Sequence, residues 1–400
     1  MCQISIFQDN RAIAPDLTIT VSRQDISHGS FCYKYTLLSS SGSSANLFFE
    51  ECQSPELSNS YEKLLSRKFE SFNKDMRSPE GRQRLNRKLR TYGQDLYRSL
   101  FNLDFDRAYW NEIREKVRTI QIVSKEPISI PWELIVPINR LSPSQISEKA
   151  FFCELYSIAH WFRGDVPQGI IEVNRFDLVR AIKDDAAISE EVSIAGLLKE
   201  NGRVFSTIEP SFETVSAAFS HGHRSILHLI SHGTHNLEDA DQCCLKLRDG
   251  DFTPDDVAES DRTTDHFFVF LNGCETGLVG RGLDGLGGWA YRLATRADTK
   301  VILGTILKIH SESARQFAVA FYTYLYSRRS DSLEDSSTER REVPQPSVRS
   351  ILEAIKAARK LLRSDPVRLS YKVYGSPLVQ VKHHNSSLYN VKNRNLGVKA

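Results

Sequence analysis

The sequence predicts an α/β fold: a mostly parallel sheet covered by helices on both faces, preceded by a small β element and a helical segment. Three observations predict it. From about residue 168 short apolar runs alternate with segments of helical spacing. The runs are apolar throughout, as in strands buried on both faces. The chain has 400 residues, 40% hydrophobic and 26% charged, enough for a substantial core.

Bulk composition excludes several classes. The net charge is +2, so no global charge points to nucleic acid or a membrane surface. No run approaches the roughly 20 apolar residues of a membrane helix. Met1 to Asp9 lacks the basic start and long apolar centre of a secretory signal, so the expected compartment is the cytoplasm. The seven cysteines show no paired spacing and are expected as free thiols. Among them, Cys2, Cys32, Cys52 and Cys153 read as small apolar residues.

Residues 1–55 carry β-type runs, Gln3–Phe7, Leu17–Val21, Phe31–Leu38 and Asn46–Phe49, with a serine-glycine turn at Ser39 to Ser44. Residues 56–165 form a helical and mixed region. Tyr61–Phe72 and Arg82–Leu100 have helical spacing, and Arg82, Arg84, Arg87, Lys88 and Arg90 are expected on a solvated helix face. Val117–Val123 reads as a strand, and Pro127–Val136, holding Trp132, as a packed core segment.

Residues 166–383 read as the main α/β core. The expected strands are Leu178–Ile182, Val204–Ile208, Ile226–Ile230, Phe267–Leu271 and Val301–Ile306. Helices are expected at Ser189–Leu198, Phe212–Phe219 and Leu283–Thr295. Glu190 and Glu191 are placed in a first helical turn, where the dipole favours acids. A later helix puts Ala314, Phe317, Ala318, Phe321 and Leu325 on one face. Another turns Ile351, Ile355, Ala358 and Leu362 inward, and Arg349, Glu353, Lys356 and Arg359 outward. Tyr374–Val379 closes the fold. The polar stretch 328–347 reads as a flexible, exposed loop and a candidate processing site, and 384–400 as a tail.

Two apolar runs end in reactive side chains. Ile226–Ile230 leads into Ser231-His232-Gly233, and Phe267–Leu271 into Asn272-Gly273-Cys274-Glu275-Thr276-Gly277. Neighbouring parallel strands lie about 4.8 Å apart and share their C-terminal edge, which would bring His232 near Cys274. A thiol attacks as its thiolate, and an imidazole can take its proton and later pass it to a leaving amine. Gly233 leaves space for a carbonyl oxygen. Its backbone N–H, with that of Cys274, is a candidate oxyanion hole. The implied reaction is acyl transfer to water, hydrolysis of an amide bond.

These residues carry a family resemblance. ILHLISHG followed by FFVFLNGCETG resembles the CHAT domain, a caspase-like peptidase family related to separase and caspases. IPWELIV, GWAYRLATRADTKVILGTI, SILEAIKAARKLL and VYGSP agree, extending the resemblance over about residues 75–383. It implies a caspase-hemoglobinase fold and a cysteine endopeptidase, with His232 as base and Cys274 as nucleophile. The caspase-specific cysteine motif is absent, so the resemblance is to the wider clan. It also implies a protein substrate and an activating partner or second-messenger-binding subunit, with residues 1–118 the expected docking region. No cofactor or metal is implied.

Separase-type relatives place a tryptophan and acidic residues after the fifth strand, lining the pocket for a basic side chain. Here the stretch is Ile306-Leu307-Lys308-Ile309-His310-Ser311-Glu312. Glu312, Lys308 and Ser311 are therefore the specificity candidates. Glu312 would favour a basic residue before the cut, whereas Lys308 and His310 would favour an acidic or neutral one. Ser311 is also placed to cap the following helix.

Other groupings weigh less. His228, His232, His235, Cys243 and Cys244 match no common zinc spacing. His228 shares a strand face with His232 and is expected as a packed supporting residue. Cys243-Cys244 opens an expected hairpin. The glycines of GRGLDGLGGW lack the Lys-Ser/Thr of a phosphate loop. The competing reading is a catalytically silent scaffold that keeps the fold for binding.

Overall fold

The computed structural model describes residues 14–26, 29–39, 48–124, 126, 130–142, 148–162, 166–167, 169–173, 175–220, 226–236, 238–258, 267–282, 285–326 and 348–383. The run Gln3–Phe7, His221 and His223, the stretch 328–347 and the tail 384–400 lie outside the described residues.

Strands β1 (Leu17–Asp25), β2 (Ser30–Ser39) and β3 (Phe48–Gln53) form an antiparallel meander. Helices α1 (Tyr61–Asp75) and α2 (Pro79–Leu100) follow. The start of α2 is set by Ser78, whose hydroxyl accepts from Gly81 N–H, and by Pro79 in the first turn. Leu85, Leu89 and Leu96 of α2 are buried, whereas Arg84, Arg87, Lys88 and Arg90 are exposed, the expected solvated face. Next come β4 (Thr119–Ser124) and β5 (Ser157–Trp161). Between them Trp132, Leu134, Ile135 and Val136 are buried, as expected for a packed segment.

The second half alternates as predicted. Its elements are β6 (Phe176–Arg180), α3 (Asp185–Glu200), β7 (Phe205–Ile208), α4 (Phe212–Ser220), β8 (Ile226–Ile230), β9 (Phe267–Asn272), α5 (Trp289–Thr295), β10 (Thr299–Thr305), α6 (Ser311–Tyr326), α7 (Ile351–Leu361) and β11 (Tyr371–Tyr374). One large sheet runs β3-β2-β1-β4-β5-β11-β10-β9-β8-β6-β7. Strands β7, β6, β8, β9 and β10 are mutually parallel, and β11 joins them antiparallel. Because β1 pairs parallel with β4, the N-terminal meander extends this sheet and is not a separate layer.

Alternating side chains of the central strands enter two cores. Ile226, Ile230, Phe268 and Phe270 join one, which includes residues of α3, α6 and α7. Leu227, Leu229, Val269 and Leu271 join the other, which includes residues of α4 and α5. A strand buried on both faces has no polar side to show, which is why these runs read as continuously apolar.

Three local expectations are corrected. Gly280–Gly282 and Gly285–Gly287 pair as a hairpin, and the helix begins only at Trp289, not Leu283. Gly285 and Gly288 both take φ of +100°, which stops a helix, and the buried carboxylate of Asp241 binds Gly288 N–H and the Arg292 guanidinium. Arg359 points inward, not outward: it is buried and donates to the carbonyls of Arg368, Cys153 and Tyr371. Glu190 is not in the first turn. Asp184 caps α3 by accepting from Ala187 N–H, which places Glu190 a turn deeper, buried beneath the sheet edge.

Candidate active site

Strands β8 and β9 pair in parallel with Ile230 opposite Asn272. Continued two residues, the same register sets His232 opposite Cys274, and both residues line one cleft with Ile182, Ser231, Gly273, Ile309 and Ser311. His232 is exposed and Cys274 half-buried. The turns interlock closely. A Cβ on Gly233 would lie 2.2 Å from the Cys274 carbonyl oxygen, and one on Gly273 would lie 2.6 Å from that of Ser231. Glycine is therefore required at both places by space, not by backbone conformation.

After His232 the chain pairs with the strand Cys244–Lys246, which also pairs with Asp251–Phe252 as the expected hairpin. Lys246 N–H donates to His232 O, so His232 and Lys246 form a hydrogen-bonded pair and Gly233 and Leu245 the next, non-bonded one. That alternation turns the Gly233 N–H away from the hairpin. The cysteine turn is braced from β10. Thr305 Oγ1 donates to Gly273 O, Thr276 Oγ1 to Leu271 O, and Gly277 N–H to Thr305 O. Glu275 adopts a left-handed conformation, φ +59°.

The thiol bonds to the loop after β10, not to His232. Ile309 N–H donates to Cys274 Sγ at 3.4 Å, and Sγ lies 3.8 Å from Ile309 O as a donor. Burial pushes the Cys274 thiol above its ordinary value. The Ile309 N–H opposes that rise, the Glu275 carboxylate adds to it, and Lys308 works against it. The thiol is therefore mainly protonated at neutral pH. The cleft is narrow, about 30 Å³ in volume.

The specificity candidates are dispersed. Ser311 lines the cleft and donates to Asp184 at 2.8 Å. Glu312 faces solvent and is clasped by Arg315 and Gln316; the Arg315 bonds, foremost, hold its carboxyl down at about 2. Lys308 offers its backbone N–H to Asn73 Oδ1 at 2.8 Å. His228 is the packed supporting residue expected: it is fully buried in β8, with Nε2 2.8 Å from Glu190 and Nδ1 3.2 Å from the Tyr322 hydroxyl. Asn272 donates to the same Glu190 oxygen at 2.7 Å and accepts from Tyr371 at 2.9 Å. This buried polar platform supports the strand end that carries Cys274.

Glu190, Asn272 and Asn73 are the contributors that sequence reasoning missed. Asn73 left one signal. It stands four residues after Phe69 on a stripe otherwise filled by Leu65, Phe69, Phe72 and Met76, yet it is buried.

Comparison with known proteins agrees with this architecture. The sequence matches the CHAT domain family over residues 174–385, a shorter span than the 75–383 read from the motifs. No curated protein matches it. Two crystal structures of the Saccharomyces cerevisiae separase–securin complex are similar in fold. One aligns at 11% identity and TM-score 0.50, the other at 12% and 0.51, each covering 92% of this chain and 30% of that one. The chain thus spans under a third of the length of that neighbour. A complex of Porphyromonas gingivalis RgpB pro- and mature domains aligns at 12% identity and TM-score 0.42, covering 79% of this chain and 77% of that one. The separase-like neighbours show a caspase-like fold, and among the described residues no helix is long and apolar enough to cross a membrane. With the family match covering more than half of its length, the chain belongs to the CHAT domain family.

Proposed function

We propose that this protein is a caspase-like cysteine endopeptidase that cuts a protein substrate. The observation that carries this reading is the β8–β9 register, which sets His232 and Cys274 across one cleft at adjacent strand ends. His232 takes the thiol proton, and the thiolate attacks the scissile carbonyl carbon. The backbone N–H groups of Gly233 and Cys274 receive the oxyanion. The amine leaves with the proton from His232, and water then releases the acyl group. Ser311 lies nearest the substrate among the specificity candidates, with Asp184 behind it; Glu312 and Lys308 act at the rim.

The thiol bond to Ile309 and the narrow cleft support a resting state that a protein partner or signal must open. They also favour the second reading, a silent scaffold. Digestion of a diverse peptide library, read by mass spectrometry for wild type and Cys274→Ala, separates the two. Cuts made only by wild type, with or without host lysate, are expected. Identical maps under both conditions would leave the scaffold.

A further inference from the structure

Asn73 is the one side chain of α1 that bridges both segments around the thiol. Its Nδ2 donates to Glu275 Oε1 at 2.9 Å, beside Cys274. Its Oδ1 accepts from Lys308 N–H at 2.8 Å, beside Ile309. Ile309 in turn holds the sulfur by its backbone N–H and carbonyl. Both polar atoms of the amide are thus used, across more than 200 residues of sequence, by the two residues adjoining the thiol and its cap. Helix α1 is anchored around it by Leu65, Phe69, Phe72 and Met76, all buried.

We infer that Asn73 is a latch: through it α1 holds the 307–309 segment over Cys274, and its release exposes the sulfur. Resting on the reading of Cys274 as nucleophile, this makes Asn73 a positioning residue that regulates the site, not one that touches substrate. Unpinning Ile309 gives up the N–H that favours the thiolate, but it relieves the burial that is the larger cause of protonation and lets water and reagent reach the sulfur. The 307–309 segment is also tied by the Glu275 N–H to Leu307 O at 3.4 Å, but the Asn73 amide is the link by which motion of α1 reaches the residues beside the sulfur.

The test is the rate of iodoacetamide labelling at pH 7, resolved cysteine by cysteine by mass spectrometry. Asn73→Ala is expected to label Cys274 severalfold faster than wild type, because the uncovered sulfur is open to reagent and less buried. Cys153 and Cys243, both buried, report general unfolding and should stay protected. Asn73→Asp sets a carboxylate against Glu275 and should also speed labelling. Adding Glu275→Gln supplies an amide donor in its place, restores both bonds, and should return the slow rate. Unchanged or slower labelling of Cys274 in Asn73→Ala, or no rescue in the double variant, overturns the latch. Faster labelling without any peptide cleavage keeps the latch and removes the peptidase reading; cleavage by wild type with unchanged labelling does the reverse.

Discussion

At the scale of single residues the site is defined by what surrounds one sulfur atom. Burial raises the Cys274 thiol above its ordinary value of 9.0, and only the thiolate alkylates. The labelling rate of the wild type should therefore climb roughly tenfold per pH unit through neutrality and still be rising at pH 9. A plateau below pH 8 in the rate–pH profile would contradict the assignment. Space matters as much as charge. Gly233→Ala puts a methyl group 2.2 Å from the Cys274 carbonyl oxygen, and backbone cannot yield as a flexible side chain would. The two strand ends must separate. A displacement of about 1 Å at reacting groups can cost about a hundredfold in rate, so kcat/KM on a cleaved peptide should fall at least that far.

At the scale of elements, α3, β8, β9 and α6 meet in the buried network of Glu190, His228, Asn272 and Tyr322. One carboxylate oxygen receives two donors, from His228 and Asn272. Glu190→Ala leaves both buried without that acceptor and should lower stability by about 3 kcal/mol. Glu190→Gln keeps an acceptor oxygen and should lose less. Urea unfolding midpoints of the two variants check the order, and equal midpoints would show that the network contributes little. The network also accounts for an asymmetry between the two histidines of the motif. His228 and His232 share a face of the strand by spacing, but His228 is fully buried and bonded on both nitrogens, whereas His232 passes the end of the sheet into the open.

At the scale of the whole molecule, one sheet links the N-terminal meander to the candidate site. Strand β11 sits at its middle, where β5 and β10 meet across it. Arg359 of α7 fastens this junction. It donates to Tyr371 O on β11, Arg368 O before it, and Cys153 O ahead of β5. Arg359→Met retains much of the volume but removes the donor from three carbonyls in the interior, with an expected loss of about 3 kcal/mol. The check is the shift of the denaturation midpoint. A shift confined to local hydrogen exchange near β5 would instead show that the meander side unfolds on its own.

Much of this was legible in the sequence. The run Ile226–Ile230 matches its strand end to end, and Phe267–Leu271 is one residue short of its strand. Continuous apolar character marks strands buried on both faces, and glycine beside His232 and Cys274 marks turns that must pack closely. The helix expected from Leu283 failed because φ at Gly285 and Gly288 decides there, and periodicity does not report it. Arg359 was read as a surface charge because local spacing cannot see carbonyls brought from Cys153 and Tyr371. By itself the sequence determined the strand pattern and the family and singled out His232 and Cys274 as candidates, since each rests on short-range periodicity or a local motif. Only the tertiary structure decided that the thiol rests against Ile309, that Glu190 lies beneath it, and that Asn73 bridges the loops. Those contacts join residues distant in the chain, and no local pattern encodes which buried polar group will meet which.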